Sequence, residues 1–586
     1  MKRFYGILAL AGALAMTSCS NDDIPSSGVN NSENEARAYI NVQLSMPNLG
    51  TRADDDGNLN STGDFAYGTK EENDINSLIL GFYDNTGNVL ELVNVPVTNR
   101  THQTTADNIA VTEPIQVGVE DNTAEKAQTL LAFVNINMSD VTGKNLTQVQ
   151  SATFSSYNPG NGFAMTNSGY YTGSTPAYTN VNTLTSDDFY TVGETSTNTV
   201  SIYVERVAVK VQLDKITEVS TYKVYNNEGT EVTLTFAPKG WDVQATSKES
   251  YILKQNAASI AENMSWVNPA TTNYRSYWAQ SYGYNTGDAT FLPAGDATVD
   301  ASLNTLLNYK NYSNISSGTF TGSSAPYTSS STVYVLENTF PSTRLYNAST
   351  PVTYNPWSAV TSIVLAGTYT PGTGFTAVDG DNGFYLRSKT QMNSSQNGLE
   401  VVDQILSSEQ VLGAMAQAAS YITKQSGNTQ VALTASDLKL AYVAGTNQTN
   451  PANYRFAQLA SETGTYYING VEASNAAVVN AELQKITPAR YYNNGNAFFY
   501  IPLKHYVAGT TSPQNQYLNL EEVVEGNYGV VRNNCYVLTI KEIKGLGTGS
   551  GSDNDIPVPD PDDESYAIDA VLNVLQWHMR NQSVNL

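Results

Sequence analysis

Residues 38–46 read AYINVQLSM, and this stretch decides the fold class of the chain. Small or apolar residues occupy every second position, and polar or aromatic residues lie between them. Strict alternation with a period of two predicts a half-buried β-strand, with one face toward a core and the other toward solvent. The apolar face of this first strand consists of Ala38, Ile40, Val42, Leu44 and Met46.

Similar patterns recur along the chain and predict a mainly β protein. The length of 586 residues suggests two to four domains at about 150 residues each, and a hydrophobic content of 40% is enough for real cores. We place the end of the first domain near Leu213. Further strands are predicted at 78–83, 89–95, 130–136, 201–213, 223–225, 232–236, 333–336, 360–365, 498–503 and 534–543.

One helix has a clear start signal. Ser407 with Gln410 three residues later fits a capping box. A stripe of Val411, Met415, Ala418 and Ile422 follows at helical spacing, which predicts a helix packed on a sheet. Weaker helical patterns cover 303–309 and 476–486.

Composition narrows the function classes. The formal net charge of −24 argues against nucleic acid as a partner, because phosphate recognition needs basic patches. No G-x-S-x-G or H-E-x-x-H motif is present. The acidic loops at 54–58 and 379–383 lack the bidentate Glu of a Ca²⁺ loop. We therefore expect no enzyme, no cofactor and no metal, although carboxylates that the fold brings together stay open as a glycosidase pair.

Three tyrosine pairs, at 170–171, 466–467 and 491–492, lie in polar surroundings. Such rings stack on sugars or on a partner protein, or they fill the faces of strands.

The N-terminus predicts export. Lys2 and Arg3 precede an apolar run over 4–16, which is typical of a signal peptide and too short for a stable membrane span. Small residues then lead to Cys19, as at a lipidation site, and a polar tether follows over 20–37. The alternative is an ordinary signal peptide with a chance cysteine. With Cys19 lipidated, the mature chain keeps one free thiol, Cys535. It lies in a predicted strand and has no catalytic histidine motif near it.

The C-terminus ends in a second alternating strand. A Gly/Ser stretch and an acidic Pro-rich stretch over 545–564 predict an extended linker outside any core. The strand beyond it presents Ile568, Ala570, Leu572 and Val574 on one face and must bury them. It folds back on its own domain or enters a neighbour.

The first strand is followed by the polar loop Thr51-Arg52-Ala53, and exposed loops of this kind are sites of proteolysis. Cutting there would leave strand 38–46 held only by pairing and packing, and its departure would open an apolar groove. The C-terminal strand of another copy would fill that groove by strand addition. Such head-to-tail contacts generate open filaments.

These features resemble the type V pilins, the fimbrial stalk subunits of the Bacteroidales. The resemblance rests on Val204-Glu205-Arg206, on Val530-Val531-Arg532-Asn533-Asn534-Cys535-Tyr536, on Ile540 to Gly547 and on both termini. It implies two β-sandwich domains of transthyretin-like arrangement, export as a lipoprotein and cleavage after an Arg by a trypsin-like surface protease.

The resemblance assigns roles to residues of this chain. Cys19 is the lipid site, the Arg52-Ala53 bond is cut, strand 38–46 is removed and 566–577 is the donor strand. Arg37 is a second candidate for cleavage, but cutting there would leave the first strand in place. The implied layout is a signal peptide at 1–19, a propeptide at 20–52, domains at 53–213 and 214–545, a linker at 546–565 and a donor segment at 566–586.

The implied function is that of a shaft subunit at the cell surface, which supports adhesion and biofilm formation. Its partners would be further copies of itself, minor anchor and tip subunits, the processing protease and a host or bacterial surface ligand. The alternatives are an anchor or tip subunit, or a monomeric glycan-binding surface lipoprotein.

Overall fold

The protein is mainly β, as the sequence predicts. The computed structural model describes residues 37–46, 65–96, 103–104, 109–110, 112–157, 162–172, 177–255, 273–275, 278–284, 306–318, 320–322, 324–339, 359–376, 383–393, 398–443, 453–505, 528–557 and 568–578.

The strands of the N-terminal part, in chain order, are β1 Arg37–Met46, β2 Phe65–Tyr67, β3 Leu78–Tyr83, β4 Val89–Val95, β5 Gln103–Thr104, β6 Ile109–Ala110, β7 Ile115–Glu120, β8 Thr129–Val134, β9 Thr153–Phe154, β10 Met165–Asn167, β11 Tyr170–Thr172, β12 Ala177–Thr179, β13 Asn182–Thr183, β14 Phe189–Tyr190 and β15 Val200–Arg206.

The strands that follow are β16 Ala208–Val219, β17 Tyr222–Tyr225, β18 Glu231–Gln244, β19 Thr246–Ser247, β20 Ser250–Tyr251, β21 Asn273–Arg275, β22 Leu307–Asn308, β23 Tyr327–Thr328, β24 Thr332–Leu336, β25 Ser362–Pro371, β26 Phe384–Asn393, β27 Gly398–Leu406, β28 Ile422–Ser426, β29 Thr429–Ala432, β30 Leu438–Ala441, β31 Tyr454–Leu459, β32 Tyr466–Ile468, β33 Val471–Glu472, β34 Ala489–Tyr492, β35 Asn496–Pro502, β36 Asn534–Ile543, β37 Thr548–Gly549 and β38 Ile568–His578.

The helices are short. They are α1 Lys70–Asn73, α2 Asp121–Lys126, α3 Met138–Val141, α4 Leu146–Ser151, α5 Tyr312–Ile315, α6 Ser408–Ala418 and α7 Ala476–Leu483, with 3₁₀ turns at Ser186–Asp188, Ala435–Asp437 and Asn493–Gly495.

Eleven strands of the N-terminal part form one sheet, in the order β4-β3-β8-β10-β15-β1-β6-β5, with β7, β13 and β14 added to it. Apolar side chains of β1, β3, β7, β8 and β15 meet in a single core, so this sheet folds over itself. The back of β3 and β8 is covered by Val141 of α3 and Val149 of α4. β1 lies inside this sheet, between β15 and β6, and not at its edge.

Most of the strands that follow β15, together with β2, form a sandwich of two sheets. One has the order β2-β38-β36-β16-β24-β19-β22, and the other has the order β30-β31-β34-β26-β27-β17-β18-β25-β35-β37. Their facing side chains share one core, to which β16 contributes Val211 and β25 contributes Leu365. Residues between β27 and β34 form a smaller core around α6 and α7.

The parallel pair of β16 and β36 connects the two cores. Tyr536, Leu538 and Ile540 of β36 point into the C-terminal sandwich. Cys535, directly before Tyr536, and Val537, between Tyr536 and Leu538, instead pack in the N-terminal core. Since side chains alternate along a strand, one strand here lines two cores.

The predicted strand at 201–213 is wrong in one respect. The strand is interrupted at Val207: β15 ends before it in one sheet, and β16 begins after it in the next sheet. A continuous apolar run predicts the strands but carries no signal for a change of partner. The predicted helix at 303–309 is wrong where the structure describes it, because Leu307–Asn308 is a strand.

The predicted capping box at Ser407 and Gln410 is confirmed, and α6 begins after it. Val411 and Met415 are buried as predicted. The predicted stripe is wrong at its end, because Ala419 is buried instead of Ala418 and Ile422 belongs to β28. The weaker helical pattern at 476–486 is confirmed by α7.

The stretch at 545–557 differs from the predicted linker. It lies as a strap across the sandwich, where β37 pairs with β35. Tyr492 donates a hydrogen bond from its hydroxyl to the Gly547 carbonyl at 3.0 Å, and Asn496 donates from Nδ2 to Asp553 at 2.8 Å. The glycines let the strap backbone lie close to neighbouring strands. A Cβ on Gly549 would lie 2.3 Å from the Tyr491 carbonyl oxygen. Residues 558–567 lie outside the described ranges.

We predict that Gly549→Ala destabilises the protein by about 1–3 kcal/mol, because the added methyl must displace backbone. A matched control is Gly413→Ala in α6, where a Cβ meets nothing within 4 Å. That change should stabilise the protein by about 0.5–1 kcal/mol through helix propensity. Urea unfolding of both variants checks this, and equal effects would mean that the strap does not pack as described.

Candidate functional site

The candidate site consists of the two places in the sheets that the first strand, β1, and the last strand, β38, occupy. We call each place the seat of its strand. β1 is paired on both edges. Its second half runs parallel to β15, with Val42 to Ser45 opposite Val200 to Tyr203. Its first half runs antiparallel to β7, and its end pairs with β6.

The apolar face of β1 is fully covered. Ile40, Val42 and Leu44 are 0% exposed, and Ala38 is buried beside them. Each such side chain stabilises the fold by about 1.5–3 kcal/mol, as an upper bound. The backbone of Met46 pairs with Ile109, and its side chain lies outside the described parts.

The second face of β1 does not point to solvent as the prediction of a half-buried strand implied. Tyr39 is buried and packs on Tyr190, with ring centroids 5.8 Å apart. Tyr190 donates from its hydroxyl to Asn41 at 2.9 Å, and Gln43 donates to the Thr112 carbonyl at 3.0 Å. β1 is therefore held by polar contacts on one face and by the core on the other.

The last strand, β38, folds back on its own chain. It runs antiparallel to β36, with Ile568 to Gln576 opposite Ile543 to Asn534. Among the strands in the described ranges, the short β2 pairs with its other edge, in parallel and at its end.

The predicted apolar face of β38 points into the C-terminal core. Ile568 is buried there, and Ala570 and Leu572 pack against the same cluster. The side chain of Val574 is outside the described parts of the chain. Of the remaining predicted site residues, Cys19, Arg52 and Ala53 also lie outside the described ranges, as do the alternative acidic loop at 54–58 and most of that at 379–383.

A cluster of buried charges lies where the two cores meet, and sequence reasoning did not predict it as a site. Arg532 and Glu337 form an ion pair at 2.7 Å with both side chains 0% exposed. Lys254 and Glu205 form a second one at 3.4 Å. The short motifs Glu205-Arg206 and Arg532-Asn533, which carried the family resemblance, meet here: the Arg206 amide donates to Asn533 Oδ1 at 3.2 Å.

Helix α1 completes this cluster from the segment that follows the predicted cleavage site. Arg206 donates to Asn73 at 2.6 Å and to the Glu72 carbonyl at 3.0 Å. Burial alone would raise the pKa of Glu72, but hydrogen bonds from Tyr334 and Lys210 hold it below its usual value. Burial lowers the pKa of Arg206 to about 9, which still leaves it charged at neutral pH.

Cys535 is buried, as predicted for an inert thiol. Burial raises its pKa to about 12, so the reactive thiolate is scarce at neutral pH. Within the described residues, no group of three His, Cys, Asp or Glu lies together as a metal site. None of the helices in the described ranges is both long and apolar enough to cross a membrane.

The tyrosine pairs mainly fill strand faces. Tyr492 stacks on Phe384 with centroids 4.9 Å apart, and Tyr491 stacks on Tyr385 at 4.7 Å. Tyr466 is buried. The side chains of Tyr170 and Tyr171 are not among those described.

Comparison with known proteins gives one family match. Residues 490–583 match the family described as the major fimbrial subunit protein type IV, Fimbrillin, C-terminal. This match confirms the resemblance to the Bacteroidales fimbrillins, is consistent with a type V pilin and supports a fimbrial subunit. No curated protein matches the chain.

Several solved structures are similar over long stretches at low identity. A fimbrilin from Porphyromonas gingivalis is 16% identical, with 93% of this chain and 99% of that chain covered and a TM-score of 0.35. The tip fimbrial protein Mfa3 from the same organism is 11% identical, with 92% and 100% covered and a TM-score of 0.28. A fimbrial assembly protein from Parabacteroides distasonis is 12% identical, with 63% and 96% covered and a TM-score of 0.26. These TM-scores are too low to establish a shared fold.

We predict that Glu337→Gln destabilises the protein by about 3–5 kcal/mol, because it removes the carboxylate that forms the buried ion pair with Arg532. The control is Glu231→Gln, which breaks an exposed pair with Lys223 at 2.9 Å and should cost about 0–1 kcal/mol. Denaturant titration at neutral pH measures both. Similar losses for the two variants would contradict a special role of the buried cluster.

Proposed function

We propose that the chain is a shaft subunit of a surface fimbria, assembled by proteolytic loss of β1 and insertion of the C-terminal strand of another copy. The observation that carries this proposal is the seat of β1, which is paired on both edges and buried between β15 and β7. β1 is joined to the rest of the domain only through the segment that contains Arg52. A cut after Arg52 makes β1 a separate peptide, whereas a cut after Arg37 leaves it attached.

A difference in pairing supports the direction of exchange. In its own chain β38 forms one full ladder, with β36, and within the part of the chain that the structure describes its other edge pairs with β2 over three residues. The seat of β1 offers a ladder on each edge. If β38 moves to the place of β1 in another copy, its apolar side chains stay buried and its backbone gains hydrogen bonds. Each such bond contributes about 0.5–1.5 kcal/mol.

The two strands are interchangeable in pattern. Both have apolar residues at every second position, with Ile40, Val42 and Leu44 in β1 and Ile568, Ala570 and Leu572 in β38. Since the strand period is two, a donor in the right register buries one set where the other was. While β1 stays in place, the groove that it fills is closed to other copies and the precursor remains a monomer.

The remaining parts of the proposal are those that the resemblance to the type V pilins implies. The precursor is lipidated at Cys19 and exported to the outer membrane, and a trypsin-like surface protease cuts the Arg52-Ala53 bond. The partners are further copies of the chain and minor anchor and tip subunits. The fimbria supports adhesion and biofilm formation, and the subunit has no catalytic role.

A second candidate is an anchor or tip subunit, which does not both donate and receive. The observation in its favour is the full ladder that β38 forms within its own chain.

We predict that Arg52→Gln abolishes polymerisation, because β1 then stays covalently attached in its groove. Arg37→Gln is the matched control and should assemble normally. Electron microscopy of sheared surface protein and its N-terminal residue, expected to be Ala53, check both. Filaments from Arg52→Gln that begin at residue 38 or earlier would refute removal of β1.

We also predict that Leu575→Cys locks the last strand. Position 575 stands opposite Cys535 in the ladder with β36, and directly opposed residues are close enough for a disulfide. The oxidised protein, cut at Arg52, should stay monomeric and should polymerise on reduction.

The control for this lock is Val574→Cys, which stands opposite Tyr536 instead and should be insensitive to oxidation. Filaments formed by the oxidised Leu575→Cys protein, with the disulfide confirmed by mass spectrometry, would exclude β38 as the donor and favour a different assembly.

A further inference from the structure

A groove of about 560 Å³ opens on the ten-stranded sheet of the C-terminal sandwich. Tyr222, Tyr225 and Tyr454 line it together with Asp403 and Arg490. Its volume lies in the range of small-ligand sites. None of the residues that line it belongs to β1 or β38, so the groove is separate from the proposed assembly site.

The groove exists because two strands diverge. β17 and β27 run parallel and pair at Tyr225 and Gln404. Continuing that register would place 222–224 of β17 beside 401–403 of β27, but in the described structure the ladder stops at the one pair. Consecutive residues of both stretches line the groove instead, so backbone as well as side chains form its walls.

The groove floor is organised around the carboxylate of Asp403. Arg490 forms an ion pair with Asp403 at 2.8 Å, and Ser388 donates from Oγ to it at 3.0 Å. Tyr222 donates from its hydroxyl to the other carboxylate oxygen at 3.3 Å. These contacts hold the Asp403 carboxylate in place beside the Tyr222 side chain.

The charges in the groove are balanced. Arg490 is paired with Asp403, and Lys223 on the rim is paired with Glu231 at 2.9 Å. A ligand with a net charge would therefore find no unmatched counter-charge among these groups. A neutral ligand with many hydroxyls matches the arrangement better, since hydroxyls both donate and accept hydrogen bonds.

We propose that this groove binds a neutral saccharide. Sugar rings present apolar C–H faces that suit the tyrosine rings, and their hydroxyls suit the Asp403–Arg490 pair. An extended peptide strand between β17 and β27 fits less well, because the Tyr222–Asp403 hydrogen bond already crosses the gap. In a filament the site would repeat along the shaft, so weak binding by each copy would add up to tight attachment.

The test uses the full-length chain on an array of neutral hexose and N-acetylhexosamine oligosaccharides, printed beside sialylated and sulfated ones and extended peptides. Val401 is 70% exposed at the groove, so Val401→Trp fills the groove without disturbing a core. Tyr225→Ser removes one wall. Tyr467→Ser is the matched control, because Tyr467 is bonded to Gln425 in another sheet.

The wild-type chain and Tyr467→Ser should bind neutral oligosaccharides, and both groove variants should bind them about tenfold more weakly or not at all. Binding confined to acidic glycans or to peptides would overturn the proposal, as would saccharide binding that Val401→Trp leaves unchanged. Since the array uses the uncut monomer, its result does not depend on whether the chain polymerises.

Discussion

The backbone of β1 forms ladders on both of its edges while its apolar side chains are closed off from water. A strand held in this way cannot leave without exposing two rows of hydrogen-bonding groups and an apolar groove. The domain is therefore complete only with a strand in that seat. In the proposed assembly this constraint would link folding to polymerisation, because a subunit that has lost β1 would need the strand of another copy to complete its domain.

The body between the two strands is built as one continuous unit. β36 pairs with β38 on one edge and with β16 on the other, and its side chains line both cores. The buried pairs of Arg532 with Glu337 and of Lys254 with Glu205 lie at the same junction. Breaking such pairs leaves an uncompensated charge in a dry site, so they oppose any change in how the two cores pack against each other. In the proposed shaft, this rigidity would let strain pass from the acceptor position to the donor strand.

The strands were predictable where a local pattern is enough. β3, β4 and β36 begin and end where alternation or an apolar run indicates, and α6 begins at its capping box. The misses share a cause. Val207 separates two sheets within one apolar run, and Gly549 lies against backbone instead of loosening a linker. Partner choice and close approach are properties of distant segments, and no local window contains them.

The sequence by itself determined the β character, the two alternating end strands and the position of Arg52 after the first of them, because each depends only on residue type and spacing. Tertiary structure alone decided which strands flank β1, that β38 rests on β36, and that Glu205, Arg206, Arg532 and Asn533 meet. It also decided that β17 and β27 diverge to form a groove. Those facts depend on which segments pair across hundreds of residues, and the energies of many such pairings differ too little for a local pattern to choose among them.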